Sequence, residues 1–129
     1  MESRCVFCNM ASKHVIAEGP SAIAIRDAFP VAQGHTLVVP RQHVASIFHL
    51  PGSDQAELWK LVAQVRATLA DELSPNAFNI GINDGEAAGQ TVPHAHIHII
   101  PRFRGDVSDP RGGIRWIIPE KAVYWEHRS

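Results

Sequence analysis

His94-Ala95-His96-Ile97-His98-Ile99-Ile100, bounded by Pro93 and Pro101, alternates histidine with apolar residues and decides how the chain folds. Side chains two positions apart on a β-strand share a face. A strand over this stretch sends Ala95, Ile97 and Ile99 to a core and His94, His96 and His98 to the opposite surface. Three imidazoles are costly to bury without partners, so that surface is expected to be a pocket wall. Thr, Lys or Glu would serve a merely solvated face, which makes histidine an odd choice for one.

On either side lie further elements. Residues 22–26 read as a short strand, residues 27–34 as a loop, and His35-Thr-Leu-Val-Val39 as a buried strand stopped by Pro40. Ser53 or Asp54 is expected to cap a helix, with Glu57 three residues beyond Asp54. Leu58, Leu61, Val62, Val65, Leu69 and Leu73 then recur at helical spacing until Ser74-Pro75-Asn76. Residues 78–82 make another strand, followed by the loop Asn83–Thr91. After Arg102 the tail carries glycines and arginines, with a possible last strand at Arg115–Ile118. Antiparallel strands with one long helix predict an α+β fold whose sheet has one face covered by helix.

The chain has 129 residues, 45% hydrophobic and 19% charged, which fits a single globular domain. Its formal net charge of −1 offers no global field for nucleic acid or an anionic membrane. An anionic substrate must be held by local N–H groups, amides and imidazoles. No apolar run approaches the ~20 residues of a membrane span, and Met1–Cys5 has no signal-like apolar core. With both cysteines in one Cys5-Val-Phe-Cys8 element, no disulfide framework is expected and a cytoplasmic location is.

Two chemistries suit the histidine face. Clustered imidazoles are common metal ligands, and same-face positions ~7 Å apart can share an ion. The sequence, however, places no completing carboxylate close to the triad. In covalent catalysis, one imidazole attacks phosphorus while a carbonyl holds its other N–H, and a neighbour such as His98 donates a proton to the departing atom. Gly85 and Gly89 permit close backbone approach, and Gly89-Gln90-Thr91-Val92 can turn N–H groups and a hydroxyl toward an anion.

The run His94–Ile100, with its Gly-Gln-Thr-Val lead-in, resembles the histidine-triad signature of nucleotide hydrolases and transferases. The resemblance continues through Asp27, Pro30, Gly34-His35-Thr-Leu-Val-Val-Pro40, His43, Asn79 and Asn83-Asp-Gly85, over roughly residues 5–104. It implies one histidine-triad domain over 1–129, with a variable tail at 105–129. The implied fold is a mostly antiparallel sheet of about five strands with one long helix and a shorter one.

The same resemblance makes His96 the nucleophile, forming a nucleotidyl-imidazole that water opens. His98 then contacts the phosphate and leaving group, while His35 and the carbonyl of His94 orient the catalytic imidazole. Asn83, Gly89, Gln90, Thr91 and Val92 become phosphate-loop contacts, together with His96 and His98, and Asp27 meets the ribose hydroxyls. Implied substrates are purine nucleotides joined to a second group, as phosphoramidates or dinucleoside polyphosphates. The His96 chemistry needs no cofactor, and the protein is expected to be a homodimer. Members with an N-terminal Cys-x-x-Cys resemble zinc proteins, which makes Cys5, Cys8, His43 and His94 a structural Cys2His2 site. A non-catalytic nucleotide-binding module acting through protein partners is the alternative, and a metal-dependent hydrolase on the triad a further one.

Pro93 departs from the usual pattern and removes one N–H donor at the strand's start. His14, His49 and His127 match no motif position and read as surface residues. Phe7, Phe29 and Phe78 read as core, with a base contact open to Phe29; Trp59 reads as half-buried on the helix. Arg111 and Arg115 either reach a second phosphate or leaving group, or are solvated.

Overall fold

The computed structural model describes residues 5–8 and 14–126; the expected surface position of His127 lies outside them. In chain order the elements are β1 (Val15–Glu18), β2 (Ala22–Arg26), β3 (Thr36–Pro40), α1 (Gly52–Leu73), β4 (Ala77–Gly81), β5 (Ile97–Arg102) and α2 (Pro119–Ala122). The strands form one antiparallel sheet in the order β1-β2-β3-β5-β4. Five strands, a long helix and a short one match the expected α+β architecture.

Period-two patterning holds across the sheet. Ala95, Ile97 and Ile99 join Ala22, Ala24 and Val38 against Leu58, Leu61, Val62, Val65 and Leu69 of α1 in one buried cluster. Each such buried aliphatic side chain contributes roughly 1.5–3 kcal/mol by leaving water. On the opposite face, Ile25, Leu37 and Val39 form a second cluster, joined by Phe7, Val15 and Ile23. It covers the β1–β2–β3 flank.

Four local expectations differ from the structure. β1 was not foreseen: Val15-Ile-Ala-Glu18 is short, and its inner residues are only half-buried. Helix α1 starts at Gly52, with Pro51 at the cap and no side-chain cap bond. Asp54 sits inside the first turn, its Oδ1 accepting from Ser21 Oγ at 2.6 Å, so it ties α1 to the turn before β2 instead of capping. Paired β5 starts at Ile97 and runs through Pro101 to Arg102. Finally, Gly113–Ile117 is a 3₁₀ turn and not a strand. Arg115 N donates to Gly112 O and Ile118 N to Arg115 O, and Gly112 at φ 91° sets the turn in the left-handed region glycine favours.

Candidate active site and metal centre

The loop between β2 and β3 folds back on itself, with Asp27 N donating to His35 O at 3.0 Å. Gly34 lies at φ 84°, and a Cβ there would stand 2.5 Å from Leu73 Cδ1, so glycine is required to bring His35 under the site. Across the sheet, His98 pairs with Leu37 on one side and Gly81 on the other. Because Gly81 carries no side chain and a Cβ there meets nothing within 4 Å, the space above the β4 flank stays open.

The position of each ring proton follows from its hydrogen bonds. His94 is 1% exposed, and its Nε2 donates to Pro40 O at 2.8 Å, which leaves the Nδ1 lone pair facing Cys5 and Cys8. His96, 9% exposed, donates from Nδ1 to His94 O at 2.9 Å, leaving the Nε2 lone pair unused by that bond. Val31 N donates to His35 Nδ1 at 3.2 Å, so the proton of His35 sits on Nε2. That N–H lies 3.0 Å from His98 Nδ1 and 3.4 Å from Asp27 Oδ2. With Nδ1 accepting, His98 carries its own proton on Nε2 and presents a donor.

Burial pushes His98 down to about 4, helped by His96 and His35, while Asp27 opposes the shift. Burial also lowers His35, again against Asp27. Both rings are therefore neutral near pH 7 when nothing is bound.

Asp27 is the carboxylate that linear spacing did not place near the triad: Asp27, His35 and His98 bring their ligand atoms together, and a cation there is geometrically conceivable. The tautomer argues against it. A metal on His35 Nε2 would force the proton to Nδ1, against the incoming Val31 N–H. The contact of His35 with His98, not His96, was also not foreseen; the group that orients His96 is the His94 carbonyl.

Residues 83–92 approach from beyond β4. Gln90 uses its whole carboxamide as a brace: Oε1 accepts from Gly85 N at 2.8 Å, and Nε2 donates to Ala45 O at 2.8 Å and Val92 O at 3.1 Å. Gly89 at φ 101° closes a 3₁₀ turn over Asn83. The backbone N–H groups of Thr91 and Val92 take no part in these bonds.

Cys5, Cys8, His43 and His94 bring four ligand atoms within 4.8 Å of one another. Cys8 Sγ is 3.1 Å from His43 Nδ1 and 3.4 Å from His94 Nδ1, Cys5 Sγ is 3.4 Å from His94 Nδ1, and the two Nδ1 atoms are 3.1 Å apart. Tetrahedral zinc with bonds of about 2.0–2.3 Å spaces its ligand atoms about 3.3–3.8 Å apart. The donor set fits a metal, and the Pro40 carbonyl supplies the second interaction that would orient His94 as a ligand. Between the cysteines, Phe7 lays its ring against His94 at 5.7 Å and His96 at 5.1 Å. Its apolar reading holds, but its role at His96 was not legible. Phe29, 88% exposed, lies in neither apolar cluster.

The tail arginines are held by the tail itself. Arg111 pairs with Asp109 and stacks over Trp125; Arg115 donates to the carbonyls of Ala122 and Lys121 and stacks over Tyr124. His14 and His49 are exposed and Trp59 is 45% exposed, as expected. Among the described residues no helix is long and apolar enough to cross a membrane.

Comparison with known proteins agrees with this geometry. The HIT domain family model matches residues 9–105. The asymmetrical bis(5'-nucleosyl)-tetraphosphatase of Schizosaccharomyces pombe is 44% identical over 80 residues, 62% of this chain and 44% of that one. Adenylylsulfatase HINT3 of Arabidopsis thaliana is 31% identical over 110 residues, 82% of this chain and 56% of that one. A solved zinc-bound histidine triad family protein from Mycobacterium smegmatis is 35% identical, with a TM-score of 0.72 over 80% of this chain and 78% of that one. A shared signature, fold and length of match place this chain in the HIT domain family, which includes nucleotide hydrolases.

Proposed function

We propose that the protein is a nucleotide hydrolase or nucleotidyl transferase in which His96 Nε2 attacks the α-phosphorus. The observation that carries this reading is the 2.9 Å bond from His96 Nδ1 to the His94 carbonyl. It fixes the ring and aims a lone pair outward beside the Nε2–H donor of His98, whose ring centroid is 5.0 Å away. The nitrogen–phosphorus bond forms as the bond to the leaving group breaks, and the leaving atom departs with the electron pair. Substrate phosphate adds negative charge beside His98, which together with Asp27 favours the protonated ring. His98 takes that proton from water on binding, while the His35 N–H can turn to Asp27. His98 Nε2 passes the proton to the leaving atom. Water then attacks phosphorus, releases His96, and yields the nucleoside monophosphate.

In this reading Thr91 and Val92 offer their N–H groups to the phosphate, beside Asn83 and with Gly89 allowing the approach; Gln90 holds the loop in shape. Asp27 receives the ribose hydroxyls of a purine nucleotide. Cys5, Cys8, His43 and His94 would hold a zinc ion whose part is structural, since four protein ligands would complete its set. The protein works in the cytoplasm as a homodimer, joined through α1 and the open edge at β4; sedimentation tests the last point.

The decisive experiment is rapid quenching with excess substrate, followed by mass spectrometry of the peptide carrying His96. A nucleoside monophosphate adduct on that imidazole is expected. Turnover without an adduct, or turnover retained in His96→Gly, rejects the mechanism; nucleotide binding without turnover favours the binding-module alternative.

A further inference from the structure

Phe7 stands beside the proposed nucleophile, and no step of the proposed chemistry uses it. Its ring meets His96 edge-on at 5.1 Å and 70°, and His94 at 5.7 Å and 82°. It therefore spans the two residues joined by the bond from His96 Nδ1 to His94 O. Among the described residues, no other ring touches both. Two tethers hold Phe7 in place. Cys5 and Cys8, on either side of it, bring their sulfurs to His94 Nδ1 at 3.4 Å each. The ring itself packs with Ile25, Leu37 and Val39, the apolar cluster on the sheet face away from α1.

The bond that Phe7 spans decides which nitrogen of His96 can react. A carbonyl only accepts, so a direct contact puts the ring proton on Nδ1 and leaves the Nε2 lone pair free to attack. A water molecule inserted between the two would undo this. It could donate one hydrogen to the carbonyl and the other to Nδ1, and the ring proton would then sit on Nε2, where it blocks the lone pair. With His94 at 1% exposure and His96 at 9%, the contact is nearly dry, and a dry surrounding strengthens the direct bond.

We infer that Phe7 is a positioning residue that keeps water out of the His96–His94 contact and so holds the His96 imidazole in the Nδ1–H tautomer. Its value to catalysis rests on the reading of His96 as nucleophile; its hold on the ring does not. The rate of attack scales with the fraction of rings in the reactive tautomer, so losing Phe7 slows adduct formation without removing the nucleophile. The apolar tether remains when a metal is stripped from the cysteines, which makes the hold a property of Phe7 and not of the metal centre.

The test reads the tautomer directly, from long-range proton–nitrogen-15 spectra of the intact protein at about pH 7.5, with His96 assigned by its absence in His96→Gly. The parent should show Nδ1 protonated and Nε2 unprotonated. Phe7→Ala should make the Nε2–H form the major species and lower the rate of adduct formation with adenosine 5'-phosphoramidate, followed by rapid quenching, about tenfold. Phe7→Leu, which restores apolar bulk, should return both to within about threefold of the parent. Ile23→Ala, in the same apolar cluster but in no ring contact with His96, should lower Tm while leaving tautomer and rate within about twofold. Parent stripped by chelator should keep the Nδ1–H form. Should Phe7→Ala not fold, Phe7→Val, shorter but still apolar, carries the same reading. An unchanged tautomer in the Phe7 variants, with any loss confined to KM, makes Phe7 a substrate contact and overturns the inference. A shift of equal size in Ile23→Ala or in the stripped parent overturns it as well. The tautomer shift without any adduct on His96 in the parent upholds the hold of Phe7 on the ring and overturns the proposed function instead.

Discussion

His94 and His98 stand four residues apart on one face of one run, yet their imidazoles are arranged for opposite tasks. At the His94 end the Pro40 carbonyl holds the proton on Nε2, and the lone pair turns inward to two cysteines and a histidine. At the His98 end the chain from Val31 N–H through His35 fills Nδ1, and a proton points outward. His96, between them, has the opposite tautomer from both because its nearest acceptor is the backbone of His94. The residue type is constant along the run; on the proposed reading, the partner each ring meets, a carbonyl for His94 and His96 and the His35 imidazole for His98, and the direction its other nitrogen faces decide whether it coordinates, attacks or donates. The proposed function thus asks three tasks of alternating histidines without a change of side chain.

The sharpest break of the comparison is at its middle. His96→Gly should reduce turnover by at least about ten-thousand-fold while the circular dichroism spectrum and metal content stay unchanged, since only the nucleophile is lost. His98→Gln should cost about a hundredfold with an amine leaving group. The loss should shrink toward tenfold or less with a phenolate, which needs no proton on departure. A uniform loss across leaving groups would make His98 a positioning residue only.

At the other end the expected readout is stability. Removing the metal by chelation, or one ligand by Cys8→Ser, should lower Tm by roughly 10 °C, corresponding to about 3 kcal/mol of linked binding energy. Turnover measured well below melting should change by no more than a few-fold. Elemental analysis of protein purified without chelator should find one zinc per chain. Zinc retained in Cys8→Ser but lost in His98→Gln would reverse the assignment of the two ends.

The smallest effect concerns protons. His98 holds its proton less tightly folded, at about 4, than at its ordinary 6.5. Between those values the unfolded chain binds more protons, so stability is fully present above pH 6.5 and is lost as pH falls toward 4. His35 shifts in the same direction. After solvent screening the His98 share is about 1–2 kcal/mol. Denaturant titrations of the metal-free protein should show a smaller acid loss in His98→Gln than in the parent.

What could be read from residues alone follows the range of each interaction. Period two placed Ala95, Ile97 and Ile99 in the core, and period 3.6 placed Leu58 through Leu69 on the buried face of α1, because both are local repeats. The approach of Asp27 to His35 depends on a nine-residue excursion closing through Gly34, which no local pattern encodes. Phe7 reads as an ordinary apolar residue until the cysteines flanking it are seen drawn to His94. In the tail, Ile114-Arg-Trp-Ile-Ile118 has the composition of a strand, but two preceding glycines and the bond from Trp116 Nε1 to Arg111 O turn it into a 3₁₀ turn.

The metal ligands come from chain segments 35 to 89 residues apart. Bringing them together needs β3 paired with β5 and the amino-terminal segment docked, so the complete centre is expected to form late in folding. An ion held there then strengthens the native state more than the folding transition state, which has yet to close the longest of these loops. Its kinetic signature is a slower unfolding limb with a nearly unchanged refolding limb. Such a centre would act as a latch on the finished domain and not as a seed for it.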